Sequence, residues 1–270
     1  MKILKKSFVR RTKLLRGGLF AFLVTGVVVQ SEATIYTLTS SPSAVTFDTT
    51  QGLTGWLENG GANQLSLQSL YYSVNGGAVS VLTGPTVVTH GANGLTATYT
   101  VSGVVSVADA VTVNGDTLGE QIKFTNLSGT ASTISIFQYS DFVLGSAPGS
   151  QILNMAVINS TQASANQSGG GATLQWLGQL TGGTVEVQAN NSGAPFGAFI
   201  GPATTLNNTT LSATGTAVFG YEFDAINLAP SNSLTISETA ALVVPEPSSV
   251  ALISSGMLVL ALLQRRRRAV

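Results

Sequence analysis

The sequence predicts an all-β protein, an antiparallel β-sandwich of roughly ten to fourteen strands, flanked by an N-terminal signal helix and a C-terminal transmembrane helix. Three observations carry this reading. Apolar and polar residues alternate with a period of two along many short segments. Asn-Gly and Gly-Gly pairs punctuate those segments with the turn chemistry of hairpins. No stretch of helical period and useful length lies between the two apolar ends of the chain.

In chain order, residues 1–33 have the three parts of a secretory signal peptide. Met1 to Arg16 carries seven Lys and Arg residues, 17–29 is apolar, and Ser31-Glu32-Ala33 places small residues at −3 and −1 for cleavage between Ala33 and Thr34. The apolar run is short for a membrane span.

The body, residues 34–243, follows. In 95–101 (Leu-Thr-Ala-Thr-Tyr-Thr-Val) the apolar residues hold one parity and three threonines the other, and 184–188 and 233–237 repeat this. Such strands bury one face and solvate the other. Further strands are expected at 35–38, 67–74, 78–82, 104–113, 121–126, 133–142, 173–177 and 217–224. Asn59-Gly60-Gly61, Asn75-Gly76-Gly77, Asn93-Gly94 and Asn114-Gly115 suit positive-φ hairpin turns. Residues 159–171 and 190–210, rich in Ser, Thr, Asn and Gly, read as loops inserted in one domain, because they hold too little apolar surface to order themselves. A large two-sheet, supersandwich-like body is one form that fits.

Charge is segregated. Of twelve Lys and Arg residues, only Lys123 lies between the two basic ends, and eleven carboxylates from Asp48 to Glu246 face it. A body so acidic has no means of neutralising phosphates, which argues against nucleic-acid binding. With no cysteine, no disulfide staples the fold and no thiolate serves as nucleophile or metal ligand.

Residues 244–270 begin Val244-Pro245-Glu246-Pro247. The two prolines hold the backbone extended and keep it out of helix or sheet pairing. An apolar stretch follows, and a helix over 248–264 would rise about 25 Å, slightly short of a ~30 Å hydrocarbon core. Arginine snorkelling covers the deficit. Arg265, Arg266, Arg267 and Arg268 close the stretch and are expected in the cytoplasm by the positive-inside bias.

This order of Val-Pro-Glu-Pro, apolar helix and arginine cluster resembles the PEP-CTERM sorting tail. The resemblance is confined to residues 244–268 and does not extend to the body. It implies an exosortase, a multi-spanning membrane transpeptidase, as partner. It also implies transient anchoring in the inner membrane through the C-terminal helix, cleavage near Pro245-Glu246-Pro247 and passage to the cell surface or beyond, among bacteria that make exopolysaccharide.

Within the body no catalytic motif stands out. His90, the only histidine, closes a Val-Val-Thr strand with no Ser or Asp motif around it, as a surface histidine does. Glu222 and Asp224 share one face of a strand while Tyr221 and Phe223 take the other. Two such carboxylates suit glycosidic acid/base work or a cation, but with nothing else converging on them the expectation is a plain solvated acidic face. Asp116 and Glu120 follow an Asn-Gly turn without calcium-loop spacing. Trp56, Tyr71, Tyr72 and Trp176 serve either as core or as a platform for sugar rings. No phosphate loop, dinucleotide fingerprint or zinc motif occurs, and no cofactor is implied.

The expectation is a non-enzymatic, exported surface or extracellular-matrix protein associated with exopolysaccharide. The alternatives are a carbohydrate-binding module and a secreted glycan-active enzyme using Glu222 and Asp224.

Overall fold

The computed structural model describes residues 33–190, 205, 206, 208 and 210–245. These form seventeen strands, more than the alternation alone predicts, because several short or weakly patterned strands join the clear ones. In chain order, β1 (Ile35–Ser40), β2 (Ser43–Asp48), β3 (Gly52–Glu58) and β4 (Leu65–Val74) make an antiparallel meander, and the short β5 (Ser80–Val81) folds back on β4. A second meander comprises β6 (Val87–His90), β7 (Gly94–Val101), β8 (Val105–Asn114) and β9 (Thr117–Asn126). After β10 (Ser132–Phe142) a third runs through β11 (Gln151–Asn159), β12 (Gln162–Gly169) and β13 (Ala172–Leu180). The remaining strands are β14 (Thr184–Asn190), β15 (Ser212–Gly215), β16 (Val218–Leu228) and β17 (Ser233–Val243).

Two antiparallel sheets result. The eight-stranded sheet has the order β1-β2-β3-β4-β10-β16-β14, with β5 also on β4, and the nine-stranded sheet has the order β15-β11-β12-β13-β17-β9-β8-β7-β6. The last strand therefore lies between the second and third meanders and joins them into one sheet.

The sheets meet over an apolar core laid down by the period-two pattern. In β8, Val105, Val107, Val111 and Val113 are buried, and Ser106, Ala108, Ala110 and Thr112 point the other way. A chain of aromatic contacts crosses the interior. Phe142 of the eight-stranded sheet lies 6.5 Å from Trp56, 6.0 Å from Trp176 of the other sheet and 6.0 Å from Phe219, which continues to Tyr221 and Phe223 along β16. Both tryptophans are essentially unexposed.

The segment 159–171, expected to be a loop, is instead mostly the strand β12, paired on both sides. Its inward positions are Ala163, Ala165, Gln167 and Gly169, all buried. Small residues suffice there because Trp176, the cross-strand partner of Ala165, fills the adjacent space. Gln167 Nε2 donates inside to the Phe142 carbonyl at 2.8 Å and to Gln151 Oε1 at 3.0 Å, while its Oε1 has no protein partner. The glycine run is a site of close approach. Gly145 and Gly170 both have positive φ, and a Cβ on Gly170 would lie 2.6 Å from the Gly145 carbonyl oxygen.

Asn59-Gly60 and Asn75-Gly76 do adopt positive φ, as does Gly115, whereas Asn93-Gly94 turns without it. Of the second expected loop, 191–204, 207 and 209 lie outside the described residues.

Candidate functional site

The residues with functional potential fall in three places: the junction with the tail, the interior, and the outer face of the eight-stranded sheet. At the junction, β17 ends at Val243, Val244 is half-buried against the core, and Pro245 is exposed beside Gly171 in the β12–β13 turn. Glu246, Pro247, the expected membrane helix and Arg265 to Arg268 lie outside the described residues, as does the signal segment up to Glu32. Ala33 and Thr34 are exposed, and Thr34 is tied to Thr49: its N–H donates to the Thr49 hydroxyl at 3.0 Å and its carbonyl accepts from the Thr49 N–H at 3.1 Å. Among the described residues, no helix is long and apolar enough to cross a membrane.

The interior holds three carboxyl groups that the sequence reading did not group. Asp109 on β8, Glu120 on β9 and Glu238 on β17 all point between the sheets and are each at most 4% exposed. Glu120 and Asp116 therefore do not form one acidic cluster, since Asp116 stands exposed in the β8–β9 turn. Across the interior, Gln68 and Gln138 of the eight-stranded sheet both donate to Glu120 Oε2.

Burial pushes Asp109 up to about 7, partly offset by its hydrogen bond with Glu120. Glu120 is held well above the usual carboxylate range by burial, then by the charges of Asp109 and Glu238. Burial raises Glu238 to about 8. Nearby Gln138 and Trp176 pull it back, although neither meets it with hydrogen-bond geometry, and both Glu238 oxygens and Trp176 Nε1 lack a protein partner.

A cavity of about 10 Å³, lined in part by Gln68, Tyr99, Asp109 and Glu120, lies within this group. Asp109 Oδ1 and Gln68 Oε1 also lack protein partners. Among the described residues, no three His, Cys, Asp or Glu side chains are arranged to hold a metal ion. Parity is the signal that finds the three acids: each sits at the inward position of a strand whose other inward residues, Asn126 at the end of β9 aside, are Val, Ile, Leu, Ala or Phe.

On β16 the expected parity is found, with Tyr221 and Phe223 in the core and Glu222 and Asp224 on the opposite face, but that face is not the solvated one expected, because Glu222 is covered. Glu186 on β14 is the cross-strand partner of Glu222, Phe137 on β10 flanks it on the other side, and Ser135 donates to Asp224. Leu206 lies over this face with Phe137, Tyr139 and Val218, and its N–H donates to Glu222 Oε2. Glu222 has no exposed surface. Its pKa rises to about 8 through burial; the Leu206 N–H opposes this, and the charges of Asp224 and Glu186 add to it. The arrangement makes Glu222 an anchor for Leu206.

His90 ends the edge strand β6, exposed, with its ring centroid 4.8 Å from that of Tyr36. Trp56 and Trp176 are core, so the tryptophans offer no platform for sugar rings. Tyr72 packs against the same core, and Tyr71 belongs to the cluster under Leu206.

Residues 243–268 match the PEP-CTERM protein-sorting motif. The C-terminal tail is thus a sorting segment of the kind that marks exported proteins for exosortase. No curated protein sequence matches the chain.

Among solved structures, a galactose mutarotase related enzyme from Lactobacillus acidophilus superposes with a TM-score of 0.54 at 6% identity, over 78% of this chain and 98% of that one. The GalM/aldose epimerase homologue from C. elegans gives 0.52 at 8% identity, over 78% and 99%. A bacterial glucoamylase complexed with acarbose gives 0.53 at 12% identity, over 84% of this chain and 36% of that one. At such identities the likeness is one of fold alone: the body shares a two-sheet antiparallel β-sandwich with these structures.

Proposed function

We propose that the chain is a non-enzymatic protein of the cell surface or extracellular matrix. Residues 1–33 act as a cleaved signal peptide, the C-terminal helix anchors the exported body transiently with Arg265 to Arg268 in the cytoplasm, and an exosortase-type transpeptidase cuts near Pro245-Glu246-Pro247. The body then joins the exopolysaccharide outside. The observation that carries this reading is the abutment of the last strand and the sorting segment. β17 ends at Val243, and the matched motif spans 243–268, so a cut at or beyond Pro245 leaves every described strand in the body.

Two features favour a body that binds rather than catalyses. Asp109, Glu120 and Glu238 are sealed between the sheets, and Glu222 is covered and bonded to a backbone N–H. Catalytic carboxyls need access to substrate. The sugar-active proteins that share the fold lend support to a carbohydrate setting for the body.

The test is the intact mass and location of the protein in its native host, for wild type and for a variant with Pro245→Ala, Glu246→Ala and Pro247→Ala. Wild type is expected outside the inner membrane without Arg265 to Arg268, and the variant is expected in the inner membrane with them. If both keep the arginines and stay membrane-bound, the tail is a plain anchor and the reading fails.

A further inference from the structure

We propose that the outward face of the nine-stranded sheet is a docking surface for a long, uncharged polysaccharide, centred on Asn166 and Gln175. The identity of the polymer class deepens the exported-matrix reading above and rests on it; the location of the surface rests on the geometry alone.

The first observation is charge. Of the ten carboxylates among the described residues, none projects from this face. Asp109, Glu120 and Glu238 of the same sheet point inward, Asp116 sits in a turn at its end, and the rest belong to the other sheet or its turns. Among the described residues, Lys123 is the one Lys or Arg side chain on the face. In a body with one lysine and eleven carboxylates, nine strands have kept their outer side nearly neutral.

The second observation is register. Asn154, Asn166 and Gln175 are successive cross-strand partners on β11, β12 and β13, and all three are exposed. Neighbouring strands lie about 4.8 Å apart, so the row presents an evenly spaced line of amide donors and acceptors running across the strands. Shallow grooves of about 400 Å³ and 220 Å³ adjoin along this line and share Asn166 and Gln175. Exposed Leu177 and Ile152 flank it, supplying apolar surface for the C–H faces of a sugar.

The occupant follows from what the face has and lacks. A single lysine cannot hold an anionic polymer. The core of a protein interface is enriched in aromatic residues, Met and Arg, and no such side chain projects from this face among the described residues. Amides and hydroxyls without charge match the hydroxyls of a neutral glycan. Without an aromatic platform each repeat is held weakly, so retention depends on many repeats engaging one extended surface at once, which selects a polymer over a short oligosaccharide.

The test is native gel electrophoresis of the protein purified from its host, in gels containing a galactomannan, dextran, hydroxyethyl cellulose or alginate. Detergent extraction, where the protein is still membrane-bound, makes binding readable whether or not the tail is cut, so failure of sorting and failure of docking are separate results. Retardation is expected in at least one neutral polymer, about tenfold weaker in affinity for the Asn166→Ala, Gln175→Ala double variant. It should be unchanged for Thr133→Ala on the opposite sheet. Both variants alter exposed positions, and unchanged urea unfolding confirms their fold. No retardation of wild type by any neutral polymer, retardation by alginate alone, or equal retardation of wild type and double variant overturns the proposal. So does concentration-dependent self-association that the double variant abolishes, since the face would then receive a second copy of the chain.

Discussion

Glu120 and Glu238 are direct cross-strand partners on β9 and β17, and both point into the core between the sheets. Two like charges opposite one another on adjacent strands repel, and in a dry interior neither is screened. Lys123, the sole lysine among the described residues, is on the other face of β9. Burial and the like-charge neighbour therefore favour the neutral form of both groups, with Gln68 and Gln138 donating to Glu120 from the facing sheet. Buried amides and protonated carboxyls can satisfy one another at less cost than buried charge.

A pH dependence of stability follows. Asp109 at about 7 and Glu238 at about 8 lie above the unfolded value of about 4, and Glu120 is raised as well. Between about pH 4 and those folded values the native chain retains protons that the unfolded chain has released, so stability falls as pH rises through that window and then levels. Asp48 acts in the opposite sense. Burial pushes its carboxyl up, but bonds from Thr50 and Gln51 outweigh this and hold it low, so its contribution is lost as pH falls through its folded value. The urea midpoint is expected to be highest near pH 4 and to drop towards pH 8. A midpoint that is flat or rises over that range would mean the core carboxyls are ionised in the native state.

Glu238→Gln should flatten that slope. The amide nearly preserves the side chain's shape, abolishes its titration and removes the like-charge partner of Glu120. At pH 8 the variant is expected to be more stable than wild type by an amount on the order of 1–3 kcal/mol, and near pH 4 close to equal to it. Equal slopes for both proteins would place the titrating group elsewhere.

How much of this could be read beforehand depended on parity. Where apolar residues recur at every second position, as in 95–101 and most of 104–113, strand and inward face were both legible. The same rule assigns Asp109 and Glu238 to the core, but it requires setting aside the prior that acids are exposed. β12 was hidden for a different reason. Its inward residues are Ala, Ala, Gln and Gly, which carry no hydrophobic period, and their fit depends on Trp176 of the next strand and on Gly145 of a separate turn. The tryptophans were ambiguous because an aromatic on a strand looks the same from sequence whether it faces the partner sheet or solvent.

The packing of β12 is tested by Ala165→Leu. Ala165 is unexposed and opposite Trp176, whose ring is held 6.0 Å from Phe142 and 6.4 Å from Phe219. Added methyl groups have no free space there, and the expected cost is about 1–3 kcal/mol in urea unfolding, with perturbed tryptophan fluorescence. Ser164→Leu, one position along and on the outward face, should cost far less. Comparable losses for the two would show that β12 does not bury its odd-numbered residues.

Glu222 is tested through Leu206. Its Oε2 accepts the Leu206 N–H, and the carboxyl is covered by the cluster of Phe137, Tyr139, Leu206 and Val218. Glu222→Ala leaves a buried N–H without its acceptor, a loss of about 1–3 kcal/mol, whereas Glu222→Gln keeps a carbonyl oxygen in place. Amide exchange followed by NMR at pH 6, with wild-type Glu222 still protonated, should show Leu206 protection reduced about tenfold or more in the alanine variant and close to wild type in the glutamine variant. A carboxyl whose role was acid/base chemistry would give the reverse dissociation: the glutamine variant would lose a glycan-directed activity while Leu206 stayed protected. Unchanged protection in both variants would mean that Leu206 is held by its apolar contacts alone, and that Glu222 needs another explanation for its burial.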